Sequence, residues 1–307
     1  PLYVHALSVN SYIESAWRFR QGGSQITSLL LRELRALGVE LFAENKALAF
    51  EYREGKIYSV ITSQQEKYIA TDFVSDIDIK QLLSIAGRTH FRPAYYKRID
   101  ALIPVAGVFS LHLVLKKQSF PYLPYNIYWH RDSSQVWQAT HYTTDTFPTT
   151  YMLSMNPPKD GGAYADNMTI LTYMNAQELS QWESTTHTLT APQGRGVDYE
   201  AFKARKAQQL LEVVYQRFPQ LKGCIVAQYT ATPLTYRDYI GNPTGAIYGY
   251  EKNILRTRQN HIMPQTHIPN LYVTGQSVNM HGLVGVTIGA VLTSMALLGG
   301  KIKGIGE

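Results

Sequence analysis

The sequence predicts an α/β chain with α+β character, on three observations. An amphipathic helix near the start is followed at once by three short strand-like runs, a long middle stretch alternates apolar and polar residues, and a strand, turn and uncharged helix lie close to the end. The 307 residues suffice for one large or two smaller domains with a sizeable core. An apolar content of 45% and a charged content of 17% are those of a globular chain. The basic excess, 29 residues against 23 acidic, is dispersed in short pairs such as Lys116/Lys117 and Lys301/Lys303. No stripe of interleaved aromatic and basic residues accompanies it, so no nucleic-acid partner is expected. Cys224 is the only cysteine, which excludes an internal disulfide and a cysteine-based metal site and fits a reducing, cytoplasmic compartment. The opening "PLYVHALSVN" has no initiator Met and no signal-peptide pattern, so the chain is expected to begin inside a longer one.

The first element is the helix. Ile26, Leu29, Leu30, Leu34 and Leu37 recur at helical spacing with Arg32, Glu33 and Arg35 on the other side, and Gly38 stops the run. Gly23 and Ser24 fall at its N-terminus and leave the first backbone N–H groups free to meet an acceptor. The stretches "VELFAENKALAFEYREGKIYSVIT" and "EKYIATDFVSD" then read as a three-stranded meander with turns at Arg53–Lys56 and Ser63–Gln65.

The middle, roughly 90–245, reads as a separate, mostly antiparallel domain with a helical cover. Strands are expected in "GVFSLHLVL", "YNIYWH", "SQVWQATHY" and "TYMLSM", and an amphipathic helix over 198–218. Tyr128, Trp129, Trp137, Tyr236, Tyr239 and Tyr248 are candidates for an aromatic, apolar substrate pocket, with ordinary core packing the alternative for each.

The last unit opens with "IPNLYVTG", a short strand ending at Gly275, turns through "QSVNMHG", and continues as "LVGVTIGAVLTSMALL". Gly285, Gly289, Thr293 and Ala296 make one small-residue face, along which another backbone or a flat ligand can approach. Three readings compete. The 19 uncharged residues from Gly282 to Gly300 reach the length of a membrane span, but five are glycine and no basic or aromatic anchor stands at the front. Gly275-x-Ser277 suggests a nucleophile elbow, but Asn279 stands where its closing glycine should be. The third reading makes the helix N-terminus a cradle for an anionic or electron-rich group, admitted by Gly282 and Gly285.

Taken together, "GGSQITSLLLREL", "ATPLTYRDYIGNPTGAIYG" and "NLYVTGQSVNMHGLVGVTIGA" resemble the C-terminal part of the phytoene desaturase and retinol saturase family (all-trans-retinol 13,14-reductase-like), within the amine-oxidase-like flavoprotein superfamily. The resemblance implies a Rossmann-like FAD/NAD(P)-binding domain built from 1–90 and 246–307, with a mostly antiparallel substrate domain, 91–245, inserted. It implies FAD as cofactor, lying along Gly22, Gly23 and Ser24, near Ala47 where relatives bring a Val backbone to the adenine, and against Gly275, Gln276, His281, Gly282, Gly285, Val286 and Thr287. His281 also reads as a turn histidine satisfied by nearby backbone. NAD(P) is the candidate electron donor. Family members open with a strand and GxGxxG, and nothing here qualifies: "GRGVDY" (194–199) follows a Pro-containing loop and lacks the third glycine. The ADP-binding βαβ unit is therefore expected to be absent, and the chain by itself to hold FAD weakly or not at all.

The reaction implied is hydride transfer between flavin and a polyene bond of a long apolar isoprenoid, in the saturating or the desaturating direction. The partner is then a hydrophobic small molecule, reached by peripheral membrane association. No HExxH, CxxC, Walker A or close carboxylate pair points to a metal or to named catalytic residues. The alternative of a different class is a non-catalytic isoprenoid- or lipid-binding remnant, or half of a split flavoprotein.

Overall fold

The computed structural model describes residues 2–20, 22–278 and 280–300. Asn279 and the Lys301/Lys303 pair lie outside them. The chain forms two compact units. The first comprises Pro1–Ile13, Phe42–Val105 and Gly241–Glu307, the second Glu14–Leu41 and Ala106–Ile240. Helix α1 (Leu2–Glu14) belongs almost wholly to the first, helix α2 (Ser24–Ala36) to the second.

The first unit opens its sheet with β1 (Ala47–Arg53), β2 (Lys56–Thr62) and β3 (Lys67–Ile69), antiparallel in that order, as the meander requires. Glu54 and Gly55 both have positive φ (49° and 76°), the two-residue turn whose twist matches the strands it joins. Next come β4 (Phe73–Ser75), α3 (Ile79–Ala86) and α4 (Pro93–Asp100). Helix α3 buries Ile79, Leu82, Leu83 and Ala86 at i, i+3, i+4 and i+7. Asp78 caps it by accepting from the Lys80 and Gln81 N–H groups (3.0 and 3.3 Å) and also takes the Tyr250 phenol at 2.7 Å.

The second unit holds β5 (Gly107–Leu115), β6 (Ile127–His130), β7 (Thr150–Ser154), β8 (Asn167–Met174), α5 (Val197–Arg217), β9 (Ile225–Ala231) and α6 (Pro233–Ile240). The strands form one antiparallel sheet in the order β6-β7-β8-β5-β9. Leu111, Leu113, Leu153, Met168 and Ile170 point to one face and share a core with Phe202, Leu210, Leu211 and Val214 of α5. On the opposite face Tyr128, Tyr173, Val114 and Tyr229 are exposed while Val108 and Ser110 are buried, so that face is bare except where α6 reaches it. "SQVWQATHY" is not a strand: Ser133–Gln138 is a 3-10 helix, because Asp132 accepts from the Ser134 N–H (2.8 Å) and hydroxyl (2.7 Å) and caps it.

The chain returns to the first unit through α7 (Thr257–Asn260), β10 (Leu271–Val273) and α8 (Gly282–Leu297). β10 pairs in parallel with β4, Leu271 opposite Phe73 and Val273 opposite Ser75. Among the described residues no helix is long and apolar enough to cross a membrane. The mixed α/β class with antiparallel sheets expected from the pattern is the one observed.

Asn270 locks these pieces. It is buried, its Oδ1 accepts from the Ile57 N–H (3.0 Å), and its Nδ2 donates to the carbonyls of Ile57 (2.8 Å) and Thr71 (2.9 Å). Asn270→Ala strands two buried backbone groups of Ile57 and the part-buried Thr71 carbonyl and is expected to lose roughly 3 kcal/mol in urea unfolding. Asn270→Asp sets a carboxylate against two carbonyl oxygens and is expected to cost at least as much; loss of under about 1 kcal/mol in both variants would show that the clamp is dispensable.

Candidate functional site

β10, the turn after it and the start of α8 bring Gly275, Gln276, His281, Gly282, Gly285, Val286 and Thr287 together in the first unit. Gly275 and Gly282 have φ of +83° and +76°, the left-handed region that favours glycine, and they set the two corners of the turn. The Thr274 N–H donates to the Ser75 carbonyl (2.9 Å), so the corner begins where the parallel pair ends.

The small-residue face of α8 packs on the chain's own backbone. A Cβ at Gly285 would lie 2.6 Å from the Met280 carbonyl, and one at Gly289 3.6 Å from the Gly275 carbonyl oxygen. The Thr293 hydroxyl donates toward the Val273 carbonyl at 2.9 Å. Gly285, Gly289 and Thr293 are the buried residues of the helix. Gly282 is different: nothing lies within 4 Å of the position its Cβ would take. Among the described residues no side chain caps α8, and no acidic residue sits in its first turn, beside that open glycine. This end of the helix fits an anionic or electron-rich group.

His281, the N-cap, stacks on Tyr248 with ring centroids 4.1 Å apart. Burial, and then the Lys252 ammonium, hold its pKa below the usual histidine value, so the ring is neutral at neutral pH. Gln276 is packed tightly: its carbonyl oxygen would be 3.0 Å from a Cβ at Gly249. The Thr287 hydroxyl donates to the Leu283 carbonyl (2.8 Å), and Val286 is half-buried. Ala47 starts β1 opposite Thr62, in the meander of the same unit. A cavity of about 560 Å³, lined by Lys252, Asn253, Arg258, Asn260, His261 and Val278 among others, adjoins the turn at Val278. Burial depresses the Lys252 pKa.

Gly22, Gly23 and Ser24 lie in the second unit. Gly22 (φ +79°) sits beside Asn156, while Gly23 has open space and, among the described residues, no side chain caps α2. Arg18 fixes this entrance by donating to the Met155 carbonyl and to Asn126 Oδ1 (2.7 Å). Of the aromatic candidates, Tyr128 lies on the bare face of the sheet. Tyr236 reaches the same face from α6 through Ser110 (3.1 Å). Trp129 points to the opposite face, stacked on Tyr151 at 5.1 Å. Trp137 is 90% exposed on the 3-10 helix, Tyr239 is exposed near the end of α6, and Tyr248 belongs to the first unit. Sequence reasoning missed Lys252, which no pattern marks, and the Ser110/His112 pair, which the i, i+2 spacing in "SLH" on an expected strand could have flagged.

No protein-family model matches the chain. It is 26% identical over 327 residues to the all-trans-retinol 13,14-reductase of Rattus norvegicus, covering 96% of this chain and 51% of that protein. A second relative, from Danio rerio, is named an inactive all-trans-retinol 13,14-reductase; identity is 29% over 137 residues, 43% of this chain and 21% of the relative. The solved structure of cyclohexylamine oxidase from Brevibacterium oxydans superposes with a TM-score of 0.52 at 11% identity, over 90% of this chain and 51% of that one, which shows a shared fold. The likeness to all-trans-retinol 13,14-reductase read from the motifs therefore runs along nearly the whole chain, which spans about half the length of the curated relatives it matches.

The two helix glycines are expected to respond differently. Gly285→Ala drives a methyl into the Met280 backbone and should lower unfolding stability by about 2 kcal/mol. Gly282→Ala meets no atom and should lose only the roughly 1 kcal/mol of left-handed backbone strain. Equal losses in urea unfolding would contradict this division of roles.

Proposed function

We propose that the chain is part of an FAD-dependent oxidoreductase that saturates or desaturates C–C bonds of a long apolar isoprenoid of the retinoid or carotenoid type. The observation that carries the reading is the similarity, along 96% of this chain, to a protein named all-trans-retinol 13,14-reductase. The start of α8, uncapped among the described residues and beside the open Gly282, supports it, since helix N-terminal donors and open space at a glycine suit the electron-rich edge of a flavin ring. When bound, FAD supplies the exchange of a hydride with carbon.

The chain's own residues then have distinct tasks. The leading N–H groups of α8, with the positive end of its dipole, favour negative charge on the reduced ring. Neutral His281, held by Tyr248, flanks that position with a flat surface rather than a second cation. Gly275, Gln276, Val286 and Thr287 shape the turn and first helical turn around it, Gly22, Gly23 and Ser24 offer the start of α2, and Ala47 offers strand backbone. The bare face with Tyr128, Tyr173, Tyr229 and Val114 offers a hydrocarbon an apolar surface. NAD(P) as electron donor and access from a membrane surface belong to the same reading. A relative that carries the word inactive in its name favours one second reading, a non-catalytic isoprenoid-binding protein or half of a split flavoprotein.

The product of the whole open reading frame, purified without added cofactor, is expected to show flavin absorption bands that dithionite bleaches and a polyene alcohol restores. Absence of the bands would remove the flavoenzyme reading and bring the binding reading forward; turnover of small amines in place of polyenes would remove the isoprenoid.

A further inference from the structure

The bare face of the five-stranded sheet carries a continuous polar thread across otherwise largely apolar and aromatic surroundings. Strand alternation turns Ser110 and His112 of β5 to that face, with Leu171 and Thr169 of β8 and Ala231 and Tyr229 of β9 opposite them. The Tyr236 phenol donates to Ser110 Oγ (3.1 Å), Ser110 Oγ lies 3.1 Å from His112 Nε2, and His112 Nδ1 lies 3.1 Å from Thr169 Oγ1. Ser110 is fully buried, whereas His112 is exposed. The thread thus runs from a solvent-reachable imidazole, through a hydroxyl that water does not reach, to a phenol.

A hydroxyl with one proton admits two settings of this chain. With neutral His112, Nδ1–H donates to Thr169, Ser110 donates to Nε2, and the Tyr236 proton is held by Ser110. With protonated His112, Nε2–H donates to Ser110, the serine proton turns to the phenolic oxygen, and the Tyr236 O–H is released to the bare face. We propose that Tyr236, Ser110 and His112 are a proton relay for a ligand lying on this face, Tyr236 exchanging the proton with a substrate carbon and His112 exchanging it with water.

The proposal rests on the isoprenoid oxidoreductase reading and supplies what hydride exchange alone omits. Saturating a C=C bond breaks the π bond and forms two C–H bonds, one with a hydride, which a bound reduced flavin would supply, and one with a proton. That proton leaves the Tyr236 oxygen; the phenolate takes the Ser110 proton, Ser110 takes one from the His112 imidazolium, and the imidazole recovers it from water. Desaturation runs the same transfers backwards, beginning from neutral His112. Burial raises the Tyr236 pKa against the opposing Ser110 bond, which keeps the phenol protonated at neutral pH. Partial burial of the ring, at a residue otherwise exposed, depresses that of His112, which leaves it neutral there. The titratable groups facing His112 are Tyr229 from β9 and Tyr236 from α6, while β8 presents Thr169; no carboxylate or cation occupies these positions. Saturation is therefore expected to quicken as pH falls through the His112 pKa, below 6.5, and desaturation to slow.

The first test needs no flavin. In 15N-histidine NMR of the chain, His112 should appear as the Nδ1–H tautomer; Ser110→Ala should erase that preference, and Tyr236→Phe, which does not touch His112, should shift its titration. An unchanged His112 titration in Tyr236→Phe overturns the relay. In the flavin-loaded product of the whole open reading frame, Tyr236→Phe should lower kcat about 10²-fold or more with KM and flavin spectrum unchanged, and His112→Gln should flatten the acid limb of the kcat profile. Full kcat in Tyr236→Phe overturns the relay as well; loss of the flavin bands in wild-type protein would instead fail the oxidoreductase reading and leave the NMR result to decide whether the thread is coupled.

Discussion

One buried amide fixes the frame of the first unit. Asn270 pairs with both backbone groups of Ile57 as a neighbouring strand would, takes the Thr71 carbonyl with its second amide proton, and accepts the Phe73 N–H on its own carbonyl (2.9 Å). One residue thereby joins the meander to the parallel pair β4 and β10. The pair is only three residues long, so its own hydrogen bonds could not set the direction in which the chain leaves. With Asn270 in place the exit at Thr274 is fixed, the two positive-φ glycines make the corner, and α8 can start only where it does. Asp78 does the same work on the other side, since one carboxylate both caps α3 and holds the Tyr250 phenol.

The elements legible in the sequence were those whose local chemistry is strong by itself, even where, as in α2, the helix buries no residue. The α2 period, the Glu54–Gly55 turn and the strand before Gly275 all appear as read. Where a capping side chain competes with alternation, alternation misled: Asp132 followed by two serines winds Ser133–Gln138 into a 3-10 helix despite its strand-like pattern. The apolar run of α8 suggested burial, yet only Gly285, Gly289 and Thr293 are buried while Leu283, Val284, Ile288, Leu292 and Met295 are exposed; a helix apolar all round gives no stripe to orient it. Its small face was visible, yet only the fold separates Gly285, which admits the Met280 backbone, from Gly282, which faces open space.

The polar side of the candidate site was less legible than the apolar side, for a physical reason. Flavin chemistry asks the protein mainly for backbone donors and close approach, and these leave glycines in the sequence rather than acids and bases. Lys252 and the Ser110/His112 pair stand in strings without any motif, and it is register with distant residues that gives them neighbours: Thr169 lies 57 residues from His112, Tyr236 126 residues from Ser110. No pattern of short period can hold such a pair.

That thread bears on how a bare apolar sheet face could serve chemistry at all. A surface that takes a hydrocarbon excludes water, and with water it excludes the ordinary proton source, so a proton must arrive through the protein or not at all. Ser110 has the placement this demands: with its side chain fully buried, its hydroxyl can pass a proton without opening a wet channel beneath the ligand. A carboxylate there would hold a water shell and a charge that an apolar ligand would have to strip. A hydroxyl between a phenol and an imidazole costs no charge in its resting setting, and takes one only while His112, at the solvent end, is protonated. The neutral chain therefore conducts without disturbing the face it serves, which is why its residues resemble a structural network until the direction of each hydrogen bond is written out.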